Sequence, residues 1–585
     1  MLLRNQEITD ERYILGISAY AHDASAALLK DGEIVMFVEE ERLSRVKHTT
    51  AFPELAIKTC LDKANFSMSE VDRICYFWRP LLEVSGNLQH VFRYFPASLR
   101  LLSAPGGSGD TSFVHRQKKM LNLDAEVKEH FGTLPKNKTF FCEHHLAHAA
   151  SAYFLSPFES AAILTIDGRG EADTTLFCEG HGQKISKLQS VKVPHSLGHF
   201  YAAITSFLGF KPFHDEWKVM GLSSYGSKKF VESFQELYSL TENSFRLNLN
   251  YFSFHTHGTT QWLGDRFIKK FAPPNAATPE QLFAFKADIA KAAQLVVEEV
   301  GLHLAKSIRR TTGQKNLCLA GGVALNCLMN RRILEESGFE EIFFQPVAND
   351  AGTSLGAALY YANHIIASKR PLPMRNVFWG PRFSNEEILA EIHAAGLTKD
   401  ITLSKWTDPN EIALLLASGN VVGWFQGAME GGPRALGHRS ILADPGRPEM
   451  KDKINSIIKK RESFRPFAPV TLKEKASTYF QMPNNVESPY MILIGDVRPE
   501  WESKISSVVH VDGTCRVQTV DHDEDPLFYD LISAFGAKSG YSVLLNTSFN
   551  ENEPIVCKPS EAINCFLRTQ MDSLVIGSWL LEKGK

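Results

Sequence analysis

Two segments of this 585-residue chain share one pattern, and that pattern restricts the fold more than any other feature. Residues 14–29 read ILGISAYAHDASAALL and residues 163–177 read ILTIDGRGEADTTLF: in each, an apolar run, a polar turn and a second run. Short apolar runs bounded by turn residues are typical of β-strands, and Asp31-Gly32 favours a hairpin into a third strand at 34–38. A repeat of this kind predicts a duplicated α/β domain whose halves face each other across a cleft.

The length and composition bound the class of protein. A chain of 585 residues is too long for one hydrophobic core, and the proline-containing stretch at 368–383 predicts a linker, so we expect domains at 1–367 and 368–585. A net charge of −3 gives no electrostatic reason to expect nucleic acid or a membrane as a partner. The nine cysteines include no CxxC pair, and no apolar run is long enough to span a bilayer, so we expect a cytoplasmic protein.

The segment EHHLAHAASAYF at 143–154 carries two histidines in a helix-forming context. His144 and His148 are four residues apart, which places both imidazoles on one helix face within reach of a single metal ion. Two histidines at this spacing also occur by chance, so the motif alone leaves both interpretations open. The residues between them include no glutamate, which argues against a metalloprotease of the HExxH type.

Two aspartates follow apolar strands in equivalent settings. Asp167 ends the run ILTID, and Asp350 follows FFQPVAN, each with a glycine close behind. Because strand ends converge on the cleft of a doubled α/β domain, we expect these carboxylates to lie near the two histidines. Two imidazoles with two carboxylates suit Fe(II), Zn or Mn better than Ca or Mg. Each aspartate taken alone is also typical of a turn or a helix cap.

Two glycine-rich turns suggest contacts with phosphate groups. Gly321-Gly322 follows a buried strand and precedes a helix, whose N-terminus would be open to a phosphate or nucleotide. In the second domain, the run GGPRALGHRS places Arg434, His438 and Arg439 at spacings that share a helix face. Guanidinium groups beside such a turn suit bidentate phosphate binding, and a solvated charged face is the alternative.

A second cationic segment, KKRESFRPFAP, carries Lys459 and Arg465 just before a proline. Further along, the apolar strand 541–545 runs into Asn546, Ser548 and Asn550. A polar cluster at the end of a strand predicts a pocket for an anion or a nucleoside, although an Asn-rich turn has the same pattern.

Taken together, these segments resemble the O-carbamoyltransferases of antibiotic and nodulation-factor biosynthesis. The matching runs occur in family order from residue 14 to residue 556 and span nearly the whole chain. They are HDASAAL with EEERLSRVKH, HHLAHAASAY, TIDGRGE, EWKVMGLSSYG, LAGGVALNC, NDAGTSLGAA, GGPRALGHRSI, KKRESFRPFAP and LNTSFNENEPIV.

The resemblance implies a duplicated ASKHA-type (actin/Hsp70-like) domain followed by a YrdC-like α/β domain. The YrdC-like domain would use carbamoyl phosphate and ATP with Mg²⁺ to form carbamoyl-adenylate. The ASKHA-type domain would hold Fe²⁺ or another divalent transition metal, and there the carbamoyl group would pass to the hydroxyl of a small-molecule alcohol acceptor. Carbamate is short-lived in water, which suits synthesis and transfer within closed sites.

The resemblance also implies roles for individual residues. Metal binding falls on His144, His148, Asp167 and Asp350. Carbamoyl-adenylate binding falls on Lys47, Asp167, Gly321, Gly322 and Asn326. Binding of ATP and carbamoyl phosphate falls on Arg434, Lys459, Arg465, Asn546, Ser548 and Asn550.

The resemblance does not settle the general base for the acceptor hydroxyl. His22 and Asp23 are our catalytic candidates because they lie on the turn of the first strand pair, opposite Asp167 in a duplicated fold. The near-neutral pKa of histidine suits a base, although a histidine of the core has the same sequence pattern.

Two other functions fit the same motifs. A tRNA threonylcarbamoyl-type transferase shares both domain types, but the chain has no basic stripe for tRNA phosphates. A non-catalytic nucleotide-binding protein on the same scaffold is the other alternative. We expect a helical insertion at 84–130 and a loop at 209–226 to border the acceptor site, and their composition suits an aminoglycoside, a macrolide or a guanidinium alkaloid equally.

Overall fold

The computed structural model describes residues 12–102 and 113–584. Within these ranges, none of the helices combines the length and the apolar character needed to cross a membrane. The predicted insertion at 84–130 is helical where described, and its residues 103–112 lie outside the described ranges. The chain divides into two compact units, one of Met1–Glu41 with His48–Met374 and one of Arg42–Lys47 with Arg375–Lys585.

The first sheet of the first unit is an antiparallel meander extended by two parallel strands. The central strand is buried along nearly its whole length because it has neighbours on both sides. The spatial order is β3-β2-β1-β4-β5, with β4 parallel to β1 and β5 parallel to β4. The strands are β1 (Tyr13–Ser18), β2 (Ser25–Lys30), β3 (Glu33–Glu39), β4 (Arg73–Tyr76) and β5 (Phe140–Phe141).

The second sheet repeats this order as β8-β7-β6-β11-β12, with the same parallel and antiparallel neighbours. The predicted duplication of an α/β domain of the ASKHA type is therefore confirmed. The strands are β6 (Ser160–Ile166), β7 (Asp173–His181), β8 (Lys184–Lys192), β11 (Asn316–Ala320) and β12 (Glu341–Phe344), and a separate hairpin consists of β9 (Tyr238–Leu240) and β10 (Phe245–Leu247).

Two short buried helices occupy equivalent places in the two halves, since each follows the last strand of its sheet. They are α6 (His144–Tyr153) and α14 (Gly352–Leu359), and every residue of both is buried. They pack closely because α14 has glycine at the contact: a Cβ on Gly356 would lie 1.8 Å from the carbonyl oxygen of Ala147. The small residues of HHLAHAASAY and GTSLGAAL therefore fix the spacing between these helices.

The remaining helices of this part of the chain lie around the sheets. The longest, α12, begins at a capping box made by Thr278 and Gln281 and runs unbroken to Gly313. The predicted loop at 209–226 is wrong in part, because α8 forms there and packs against α12. The helices are α1 (Glu40–Ser44), α2 (Glu54–Ala64), α3 (Pro80–Arg93), α4 (Phe113–Leu121), α5 (Leu123–Phe131), α7 (Leu197–Phe207), α8 (Glu216–Ser223), α9 (Val231–Phe234), α10 (Phe254–His257), α11 (Asp265–Lys270), α12 (Pro279–Thr312) and α13 (Cys327–Glu336).

The second unit is built on an eight-stranded mixed sheet of order β13-β23-β22-β14-β15-β21-β16-β20. A core that includes Trp406, Trp424, Phe528 and Phe535 packs against it. The strands are β13 (Ile401–Lys405), β14 (Val422–Phe425), β15 (Arg439–Ala443), β16 (Ala468–Leu472), β20 (Gln518–Val520), β21 (Val543–Ser548), β22 (Ser573–Ile576) and β23 (Trp579–Lys583), and β17 (Phe480–Gln481), β18 (Gly495–Val497) and β19 (Thr514–Cys515) form a separate three-stranded sheet.

The helices of the second unit are mostly short, and one π-helical turn, Lys453–Ile458, lies among them. Turns of this type are frequent at functional sites, and this one leads directly into Lys459. The helices are α15 (Asn385–Ala394), α16 (Pro409–Ala417), α17 (Met450–Asp452), α18 (Ala476–Tyr479), α19 (Pro499–Glu502), α20 (Pro526–Ser539) and α21 (Pro559–Arg568).

The contact between α6 and α14 predicts the effect of one added methyl group. Gly356→Ala should destabilise the first unit by about 1–3 kcal/mol, because the Ala147 carbonyl must move and overpacking outweighs the gain of about 1 kcal/mol in helix propensity. Urea unfolding measures the difference. Ala394→Ser, which adds one atom at an exposed helix position, is the control, and equal unfolding midpoints for both variants would contradict the prediction.

Candidate metal centre

Four predicted side chains of the first unit meet in one cluster. His144 and His148 project from one face of α6, Asp167 follows β6, and Asp350 lies just before α14. The Nε2 atom of His144 lies 2.8 Å from Asp167 Oδ2 and 3.7 Å from Asp350 Oδ1. The corresponding distances from Nε2 of His148 are 3.4 and 3.6 Å. One ligand atom from each residue lies within 4.8 Å of all the others, so one ion could contact all four.

The surroundings of these atoms fit a cation. Both imidazoles are fully buried, and Nε2 of His148 has no hydrogen-bond partner within the described part of the chain. Burial alone would lower the pKa of His148, but the nearby Asp167 and Asp350 carboxylates raise it to about 9. The same histidines hold the pKa of Asp167 well below its usual value, against the effect of burial. The donor set of two imidazoles and two carboxylates suits a divalent transition metal.

Neighbouring groups hold these side chains in place. The Gly322 backbone N–H donates to Asp167 Oδ1 at 3.1 Å. The buried Glu171 carboxylate accepts the backbone N–H groups of Arg79, at 2.8 Å, and of His144, at 3.1 Å, at the start of α6. Such outer contacts orient metal ligands in proteins. His145, between the two clustered histidines, contacts Thr165 Oγ1 through Nδ1 at 2.7 Å and is not part of the cluster.

The predicted base residues form a second polar cluster in the first unit. Asp23 Oδ2 lies 3.0 Å from Nδ1 of His22, and Asp23 Oδ1 lies 2.8 Å from Nδ1 of His48. Asn349, the neighbour of Asp350, donates to Asp23 Oδ2 at 2.7 Å. The Nε2 atom of His22 is buried and has no hydrogen-bond partner among the described residues. Asp23 and His48 adopt φ values of 46° and 52°, a strained region that persists mainly at functional sites.

The residues predicted to bind the adenylate are divided between the two units. Gly321, Gly322 and Asn326 belong to the first unit, whereas Lys47 belongs to the second. Gly321 has a φ of 91°, and a Cβ there would lie 2.3 Å from the Ile166 carbonyl oxygen, so only glycine fits this turn.

The Asn326 side chain has structural partners of its own. It caps α13 by accepting the Met329 N–H at 3.0 Å, and it exchanges two hydrogen bonds of 2.9 Å with Gln294. Its contact with a nucleotide stays a prediction.

In the second unit, Lys459, Ser548 and Asn550 come together as a group. Lys459 is buried, and its Nζ donates to the Asn550 carbonyl oxygen and to Asn550 Oδ1, both at 2.7 Å, and to Ser548 Oγ at 3.3 Å. Burial, together with the charges of Arg461 and Arg465, holds the pKa of Lys459 well below its usual range.

Arg461 extends this group into a cluster of cations. Burial and the nearby Arg465 and Arg516 guanidinium groups lower its pKa. Its Nη2 atom is buried without a hydrogen-bond partner in the described ranges. Several like charges held close together, with buried donors available, are typical of a site for a polyanion.

The turn that carries Arg434 is not helical, so the helix face expected for Arg434, His438 and Arg439 is wrong. The buried Glu430 carboxylate instead accepts the backbone N–H groups of Leu436, His438 and Arg439 and holds the turn open. The Arg439 guanidinium is fully buried and donates to backbone carbonyls such as that of Gln426, which makes it structural.

Asn546 also has partners within the second unit. Its Nδ2 donates to the Ala435 carbonyl oxygen at 3.2 Å and to Gln518 Oε1 at 2.8 Å. These bonds tie the turn that carries Arg434 to the sheet, so Asn546 supports that turn.

Sequence reasoning missed several polar residues of these clusters. Arg461 lies inside the basic run KKRESFRPFAP, and Asn349 lies next to Asp350, so for both residues the adjacent motif is the sequence signal. Glu171 ends the run TIDGRGE and His48 ends the run EEERLSRVKH, whereas Arg516 lies in no matching run. Because no residue spacing predicts their contacts, only the fold brings these three to their clusters.

The structure thus has two α/β units, and the first carries two imidazoles and two carboxylates whose ligand atoms one ion could contact. Known protein families match both the N-terminal and the C-terminal part of the chain. The family described as "Carbamoyltransferase N-terminus" matches residues 13–359, and the family described as "Carbamoyltransferase C-terminus" matches residues 413–583.

Individual relatives match over most of the chain. The uncharacterized protein sll1178 of Synechocystis sp. is 41% identical over 98% of this chain and 97% of its own. Nodulation protein NolNO of Sinorhizobium fredii is 36% identical over 97% of this chain and 80% of its own. Among solved structures, component A of (R)-2-hydroxyglutaryl-CoA dehydratase from Acidaminococcus fermentans aligns with 60% of this chain and 97% of its own, at 16% identity and a TM-score of 0.30.

The chain belongs to the carbamoyltransferase family, and it is an enzyme that transfers a carbamoyl group.

The geometry of the four-residue cluster predicts a metal-binding phenotype. Wild-type protein incubated with Fe(II) should retain one ion per chain, and His148→Ala should weaken retention by about 100-fold because a ligand is lost. Metal content after dialysis against graded chelator measures the effect. His145→Ala on the same helix is the control and should bind like the wild type; equal metal loss in both variants would contradict the cluster as the binding site.

Proposed function

We propose that the chain is an ATP-dependent O-carbamoyltransferase that works in two steps. Residues 368–585 form carbamoyl-adenylate, and residues 1–367 transfer its carbamoyl group to the hydroxyl of a small-molecule alcohol. The cation cluster around Lys459 and Arg461 carries this proposal, because it suits a triphosphate and carbamoyl phosphate.

In the first step, ATP and carbamoyl phosphate bind at the polyanion site of the second unit. The sequence resemblance implies a YrdC-like fold for this unit. Carbamoyl phosphate is hydrolysed to carbamate and phosphate, and a carbamate oxygen then attacks the α-phosphate of ATP as pyrophosphate leaves. Arg461 and Arg465 bind and orient the phosphate groups, and Arg434 adds a third guanidinium from the turn held by Glu430. Mg²⁺ would accompany ATP as its usual counterion.

In the second step, the carbamoyl group is transferred in the first unit. The acceptor oxygen bonds to the carbamoyl carbon, the bond from that carbon to the phosphate oxygen breaks, and AMP leaves. His144, His148, Asp167 and Asp350 would hold Fe²⁺ or a related divalent ion, which when bound supplies Lewis-acid stabilisation of charge on the leaving phosphate. His22 Nε2 takes the proton of the acceptor hydroxyl, and Asp23 holds the other ring nitrogen and stabilises the imidazolium.

The first half-reaction tests this proposal without an acceptor. Wild-type protein should release pyrophosphate from ATP only when carbamoyl phosphate is added, and Lys459→Met should lower that rate by about 100-fold or more. Lys460→Met is the matched control, since the Lys460 side chain is 61% exposed and pairs with Glu551. The absence of release from folded, metal-loaded wild type would favour a non-catalytic nucleotide-binding protein.

The pKa of the proposed base, His22, depends on the charges around it. Burial alone would lower the pKa of His22, but Asp23, with smaller contributions from Asp350 and Glu216, raises it to about 9. Since a bound cation offsets the Asp350 charge, the titration midpoint of His22 should fall from near 9 in metal-free protein when Zn(II) is added. NMR of histidine-labelled protein, with His22→Gln to assign the signal, measures it, and a midpoint unmoved by Zn(II) would contradict the predicted coupling.

A further inference from the structure

The Asp23 carboxylate is surrounded by three nitrogen groups from three separate stretches of the first unit. His22 Nδ1 and the Asn349 amide approach Oδ2, at 3.0 and 2.7 Å, and His48 Nδ1 approaches Oδ1 at 2.8 Å. Asp23 is buried, and the hydrogen bonds and charges of the two histidines hold its pKa well below the usual range. The carboxylate is therefore ionised.

An ionised carboxylate accepts hydrogen bonds and donates none, so all three partners must donate to it. Both histidines therefore carry a proton on Nδ1. When His22 is neutral, its lone pair is consequently on Nε2, the buried atom that has no partner within the described residues. The contacts of Asp23 thus determine which ring nitrogen of His22 can accept a proton.

We infer that His48 is a positioning residue for carbamoyl transfer: by occupying Asp23 Oδ1, it keeps the carboxylate turned so that Oδ2 holds His22. This inference rests on the proposed role of His22 as the base. Asn349 acts with His48 from the other side, and because its neighbour is Asp350, it ties the base to the four-residue metal cluster.

The placement of His48 is itself fixed by local contacts. Its backbone N–H donates to Glu41 Oε2 at 2.8 Å. The residue after it, Thr49, accepts the Ala24 N–H at 2.9 Å, which joins this stretch to the turn that carries Asp23. The His214 ring packs edge-on against the His48 ring, with centroids 4.5 Å apart. A side chain held by backbone pairing and ring packing can hold a neighbouring carboxylate in one orientation.

Loss of the His48 donor should affect transfer and leave adenylate formation intact. Asp23 could then rotate about its side-chain bonds, and a smaller fraction of His22 would be held with Nε2 toward the acceptor. Because ground-state binding of the acceptor does not depend on that orientation, kcat should fall while KM changes little.

Two polar substitutions of His48 distinguish a positioning role from a purely structural role. In His48→Asn the side-chain amide can occupy the place of Nδ1 and donate to Asp23, whereas in His48→Gln it falls near the place of Nε2. The first readout is the low-field NMR signal of the proton shared by His22 and Asp23, assigned by its loss in His22→Gln. This signal needs no acceptor and no turnover, so it reports on positioning even if the proposed function is wrong.

We expect His48→Asn to keep this signal and His48→Gln to lose it. The acceptor is chosen from a panel of one aminoglycoside, one macrolide and one guanidinium alkaloid as the compound that gains a carbamoyl group. With this acceptor, His48→Gln should lower kcat by about tenfold or more at unchanged KM. Pyrophosphate release should stay intact. His48→Asn should restore the rate. An unchanged signal in His48→Gln, or equal losses in the two variants, would overturn the positioning role; transfer at the wild-type rate by His22→Gln would instead refute the proposed base.

Discussion

The close packing of α6 against α14 is the constraint on which the first unit depends. Gly356 lets the backbone of α14 lie against the Ala147 carbonyl, and α6 presents His144 and His148 on one face from successive turns. Asp350 comes just before α14, so the distance between the helices also sets the distance between imidazole and carboxylate. The metal cluster thus follows from helix packing and from the duplicated sheets, whose equivalent helices meet at the centre.

The candidate sites of the two units differ in the charge of the ligand that they suit. The first unit gathers the Asp167 and Asp350 carboxylates around two buried imidazoles, and Nε2 of His148 has no hydrogen-bond partner among the described residues, which suits a cation. The second unit gathers Lys459, Arg461, Arg465 and Arg516, whose mutual charges help to lower the pKa values of Lys459 and Arg461, and such a cluster suits polyphosphate. In the second unit the folded chain holds like charges together at an energetic cost that a bound anion would offset. Such sites are typical of function, because packing alone would favour apolar side chains there.

The sequence predicted what depends on local pattern. The strand–turn–strand repeat predicted the duplicated sheets, and the four-residue spacing on a helix with two strand-end aspartates predicted which side chains would meet. It could not predict contacts made only by the tertiary fold. His48 reaches Asp23 through backbone pairing between distant segments, and Lys47 beside it belongs to the other unit. The basic spacing around Arg434 suggested a helix face, but a buried glutamate holds those residues in a turn, and Arg439 serves the core.

Under the proposed division of labour, carbamoyl-adenylate forms without the metal centre and is consumed only with it. The most direct test is rapid-quench analysis of one turnover in Fe(II)-loaded and in chelator-treated protein. The substrates are ATP and carbamoyl phosphate, and the label is in the carbamoyl group of carbamoyl phosphate. Without an acceptor, labelled carbamoyl-adenylate should form in both samples at the same rate, and addition of an acceptor should then consume it only in the Fe(II)-loaded sample. If adenylate formation fails when the metal is removed and returns when Fe(II) is restored, then the two steps share one site and the division of labour between the units is wrong.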